Sequence, residues 1–83
     1  MERFTQEMIS GMEWRDVKSL RTDNGEFRVE ITWALDRFRV FVFRRIQEPE
    51  KFMEGHDAFY LHTAVATANK MLRFYNKRGW FYQ

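Results

Sequence analysis

Phe27-Arg28-Val29-Glu30-Ile31-Thr32-Trp33-Ala34-Leu35-Asp36-Arg37-Phe38-Arg39-Val40-Phe41-Val42-Phe43-Arg44-Arg45-Ile46 is the stretch that decides the fold. In its first half Phe27, Val29, Ile31 and Trp33 alternate with Arg28, Glu30, Thr32 and Ala34, the period of a strand with one face on a core. Leu35-Asp36 reads as a two-residue turn into a second strand over 37–46. Such a turn sets Trp33 against Phe38, Ile31 against Val40 and Val29 against Val42, so the large apolar residues of the first strand share a face with Phe38, Val40 and Val42. Alternation within each strand and the register imposed by the turn are separate patterns, and they agree.

Upstream, Asp23-Asn24-Gly25-Glu26 predicts a two-residue type I′ hairpin turn, because Asn and Gly tolerate positive φ. It would pair 27–34 with an earlier strand over 13–21, where Trp14, Val17 and Leu20 are spaced by threes and suggest a bulge. Before that, Phe4, Met8, Ile9 and Met12 gather on one side of a helix over 3–10, stopped at Gly11.

Downstream, Glu48-Pro49-Glu50 is expected to end the sheet, since proline cannot donate to a ladder. A long helix over 56–78 follows. Its stripe of Ala58, Leu61, Val65, Ala68, Leu72 and Tyr75 packs on the sheet, with Asp57 in the first turn and Lys77-Arg78 in the last. The small residues Ala64, Ala66 and Ala68 allow close approach. Gly79 is expected just past its end, and Trp80-Phe81-Tyr82 to fold back as an edge strand or a core plug. The fold class is α+β: a short N-terminal helix, a three-stranded antiparallel meander (about 13–21, 27–34 and 37–46), a long C-terminal helix and an aromatic tail, in a single domain spanning 1–83.

Composition supports a packed core. Apolar residues make up 45% of the chain and aromatics 18%, so a short chain without cysteine can fold by packing alone. Disorder is not expected from so aromatic a composition, and the absence of cysteine excludes thiolate metal sites. No apolar run exceeds four residues and the first residues lack a signal-like apolar segment, so a cytoplasmic, non-membrane protein is expected. The net charge of +2 is segregated: 37–45 holds four arginines and no acid, and 58–83 holds four bases and no acid.

Catalytic patterns are missing. His56 and His62 are six apart and do not share a helical face, and the cluster Glu54, His56 and Asp57 reads as a helix start capped by a carboxylate rather than as metal ligands. Neither cofactor nor small-molecule substrate is expected, and the chain reads as no enzyme. The informative surface is the far face of the sheet. The register that turns Val40 and Val42 inward turns Arg28, Arg39, Phe41, Phe43 and Arg45 outward. Phenylalanines interleaved with arginines suit a protein hot spot, and they equally suit stacked bases with gripped phosphates. Two further readings stay open: the N-terminal helix covers Phe41 and Phe43, or a partner does. A secondary basic patch comes from Lys70, Arg73 and Lys77 on one stripe of the long helix.

The order helix–strand–strand–strand–helix resembles that of double-stranded-RNA-binding domains. The resemblance is one of order: where that family places a lysine cluster at the start of its last helix, this chain has Gly55-His56-Asp57-Ala58-Phe59. The expected function is macromolecular binding by a small accessory protein of the inhibitor or adaptor type that viruses and mobile elements encode. Its partner would be another protein or a second copy of the chain, with nucleic acid as the alternative.

Overall fold

The computed structural model describes residues 2–46 and 48–81, the last four by backbone alone. The elements run α1 (Gln6–Ser10), β1 (Val17–Arg21), β2 (Phe27–Trp33), β3 (Phe38–Arg44), β4 (Lys51–Ala58) and α2 (Leu61–Phe81). This is an α+β architecture with one antiparallel sheet in the order β1-β2-β3-β4.

The central hairpin forms in the register read from the sequence: Trp33 opposite Phe38, Ile31 opposite Val40 and Val29 opposite Val42. At its turn the Ala34 N–H donates to the Arg37 carbonyl at 2.8 Å, and the Asp36 N–H to the Ala34 carbonyl at 2.8 Å. Leu35 takes a left-handed φ of +70° to close it. Phe27, Val29, Ile31, Val40 and Val42 are buried. Trp33 and Phe38, expected in the core, are only half-buried; their rings meet in a tilted contact at 4.7 Å on its margin.

The sheet has four strands, not three. Pro49 lies in the connection between β3 and β4 instead of ending the sheet. β4 escapes the period-two reading because a bulge near Phe52-Met53 shifts its register and Gly55 interrupts its side chains. The long helix therefore starts at Leu61, not at 56. Ala58 falls on the helical spacing by coincidence and is buried as the strand partner of Phe38. Asp57 is a strand residue, and the first turn of α2 has no acid. The fourth strand also removes the likeness in element order to double-stranded-RNA-binding domains. At its other end α2 runs through Gly79 to Phe81, since glycine weakens a helix without forbidding it. Trp80 and Phe81 are thus helical rather than an edge strand, and Tyr82 lies outside the described residues.

The first hairpin differs too. β1 begins at Val17, after a turn in which the Asp16 N–H donates to the Glu13 carbonyl at 3.0 Å and Arg15 takes φ +77°. In the β1–β2 loop only Gly25 has positive φ (+74°), so it is not a type I′ turn, which needs positive φ at both central residues. Buried Thr22 organises a wider loop: its Oγ1 donates to Asn24 Oδ1 at 2.9 Å and accepts from the Phe27 N–H at 3.2 Å.

Both helices pack on the same side of the sheet. Phe4 and Ile9 join Ala68, Met71, Leu72 and Tyr75 of α2 in one core with the buried residues of β2 and β3. α1 is shorter than expected, capped by Thr5, whose hydroxyl accepts from the Met8 N–H at 3.3 Å. Asn69 of α2 holds the segment before it: its Oδ1 accepts from the Phe4 N–H at 2.7 Å and its Nδ2 donates to the Phe4 carbonyl at 2.9 Å. Among the described residues no helix is long and apolar enough to cross a membrane.

Candidate partner-binding face

Both helices cover one side, so among the described residues no second layer covers the other side of the sheet, and α1 does not cover Phe41 and Phe43. Cross-strand partners share a face, so the registers assemble this open face in three rows: Val17, Thr32, Arg39 and Asp57; Ser19, Glu30, Phe41 and Gly55; Arg21, Arg28, Phe43 and Phe52. The predicted Arg28, Arg39, Phe41 and Phe43 are brought together. Arg45 lies one residue beyond β3, where its N–H donates to the Glu26 carbonyl at 2.7 Å.

Phe41, Phe43 and Phe52 form an aromatic triad, with centroids 6.3, 6.0 and 6.0 Å apart. Phe52 went unnoticed in the sequence because β4 did. Its neighbour Phe41 lies against Gly55, where a Cβ would come within 2.9 Å of the ring. Phe43 is capped by the Arg28 guanidinium, 4.6 Å from its centroid. Phe41 and Phe43 are thus half-buried by the face itself, and Phe52 remains 55% exposed.

Arg28, Arg39 and Arg45 are engaged with carboxylates of the same surface, whereas exposed Arg21 at the β1 edge has no ion pair among the described residues. Arg28 reaches Glu30 at 2.6 Å and Glu50 at 2.9 Å; Arg45 reaches Glu50 at 3.1 Å; Arg39 lies 3.5 Å from Asp57. Arg37 adds contacts to Asp57 and Asp36, each at 3.0 Å. Hydrogen bonding to Glu50 raises the pKa of Arg28, and the same bond lowers that of Glu50. The Asp36 carboxyl is likewise lowered, first by its hydrogen bond from Arg37. The face is therefore aromatic at its centre, with paired charges around it.

The remaining sequence-selected residues lie elsewhere. Lys70, Arg73 and Lys77 are exposed on α2, on the helix side of the sheet, and do not join the open face. Glu54, His56 and Asp57 alternate along β4 instead of capping a helix. Glu54 accepts from the Tyr75 hydroxyl and lies 2.7 Å from His56 Nε2, whereas Asp57 points to the arginines on the other face. Among the described residues no group of three or more acids and histidines could hold a metal ion, and every buried side-chain polar atom has a partner.

Sequence reasoning missed a second concentration of exposed apolar side chains. Among the described residues eight large hydrophobics are exposed, and Trp14, Val17, Leu35, Phe59 and Tyr60 sit at one end of the sheet, where β1 and β3 begin and β2 and β4 end. Three of these rings carry a basic or imidazole neighbour: Arg15 on Trp14 at 4.5 Å, Arg37 on Phe59 at 5.3 Å and His62 on Tyr60 at 5.8 Å. The left-handed residues Arg15 and Leu35 belong to the same end. Only the topology brings these positions, 14 to 60, side by side.

Comparison with protein-family models, with curated proteins and with solved structures finds no match for this chain.

Proposed function

We propose that the protein is a binding module whose open sheet face docks another protein through Phe52, Phe41 and Phe43, and that it performs no chemistry. The observation that carries this reading is the aromatic triad on a sheet face that neither helix covers. Burying an aromatic side chain is worth about 1.5–3 kcal/mol, and a central aromatic patch with a charged rim has the make-up of a protein hot spot. Pairing of Arg28, Arg39 and Arg45 with Glu50, Glu30 and Asp57 favours protein over nucleic acid, because phosphate contacts need cations able to release counterions. The exposed rings at the loop end, carried on a rigid scaffold, suit the same kind of contact.

The test compares capture from a lysate by wild type and by Phe52→Asp, with and without nuclease. Capture that survives nuclease and is lost in a variant with an unchanged melting temperature supports the reading. Nuclease-sensitive capture, together with affinity for DNA or RNA that falls steeply with salt, would replace it with the nucleic-acid alternative.

A further inference from the structure

β4 is an edge strand, and at eight residues the longest of the four. Among the described residues, no backbone–backbone hydrogen bond outside the β3 ladder involves Gly55 to Ala58, and Gly55, His56 and Asp57 are exposed. Such an edge is a template for another strand. The opposite edge, β1, has five residues and carries Lys18 and Arg21, the kind of charge that keeps edges apart.

We propose that β4 pairs antiparallel with β4 of a second copy, on a two-fold axis at Gly55. The register follows from symmetry. Directly opposed residues of an antiparallel pair share a face, so a two-fold perpendicular to the sheet must pass through a residue and not between two. The bulge near Phe52-Met53 confines regular pairing to the segment from Glu54 onward. An axis at Glu54 or at Asp57 sets two like carboxylates against each other, and one at His56 sets imidazole against imidazole. The axis at Gly55 alone opposes Glu54 to His56 of the partner subunit, twice, and leaves Gly55 with no side chain at the centre. Both groups are already placed for this: the Tyr75 hydroxyl holds Glu54, and Glu54 holds His56 on the helix side of the strand. The resulting eight-stranded sheet carries all helices on one side and two copies of the aromatic triad on the other.

This inference does not depend on the reading of the open face, and its test separates the two. Sedimentation equilibrium over a wide concentration range gives the mass, and amide exchange follows residues 54–56. A monomer–dimer equilibrium is expected, with slower exchange within 54–56 as the dimer fills. His56→Lys keeps the cross-strand attraction and leaves the dissociation constant within a few-fold of wild type. His56→Glu replaces two attractive pairs by two repulsive ones and weakens the dimer about tenfold or more. The side chain is exposed and both variants are first shown to melt as wild type does. A protein that stays monomeric throughout overturns the proposal, as does a dimer indifferent to His56→Glu. So does a dimer abolished by Phe52→Asp with unchanged exchange at 54–56, which would place the second copy on the open face instead.

Discussion

The ring of Phe41 lies against Gly55, its partner on β4, and fills the space that a side chain there would take. A methyl group at 55 would meet ring carbons at 2.9 and 3.0 Å, and Phe43 and Phe52 flank the ring on its free sides. Gly55→Ala is therefore expected to destabilise by about 1–3 kcal/mol, the usual cost of overpacking. In the Phe41→Ala background the same change should cost much less. A double-mutant cycle by urea denaturation measures that coupling.

The core offers a ranking. Ile31 is fully buried between the sheet and α2, so Ile31→Ala should cost about 2–5 kcal/mol. Trp33 sits at the margin against Phe38, and Trp33→Ala should cost less despite removing the larger side chain. Equal denaturation midpoints for the two variants would contradict this placement of the core.

Asn69 ties the chain before α1 to the middle of α2 by two bonds to the Phe4 backbone. Asn69→Ala removes both and should cost about 1–3 kcal/mol. The loss should be local, with faster amide exchange at Phe4 and Ile9 and little change at Val29 or Val40.

Leu35 holds a left-handed backbone with a mostly exposed side chain, so little burial is at stake there. Leu35→Asn should leave the melting temperature unchanged or higher, because asparagine tolerates this conformation. Leu35→Val should lower the stability by roughly 1 kcal/mol or more, and the melting temperature with it, since a β-branched residue fits the conformation worst.

The charged rim predicts an acid response. Hydrogen bonding from Arg28 lowers the folded-state pKa of Glu50 below its unfolded value. Its stabilising share is therefore full above the ordinary carboxylate range and fades as pH falls through the lowered pKa. Thermal denaturation against pH should show this fading in wild type, and Arg28→Gln should flatten it.

The central hairpin was legible in the sequence because two local patterns, alternation over 27–34 and the Leu35-Asp36 turn, fix one register between them. The outward direction of Arg28, Arg39, Phe41 and Phe43 follows from that register without any structure. α2 was legible over most of its length from the stripe Leu61, Val65, Ala68, Leu72 and Tyr75. β4 was not, because a bulge and a glycine break its period, and only hydrogen bonding to β3 holds it extended. Tertiary structure alone decided that Phe52 completes the aromatic triad, that Glu50 and Asp57 answer the arginines, and that α1 shares the side of α2. These depend on residues distant in the chain meeting across strands, where neither periodicity nor turn chemistry carries the information.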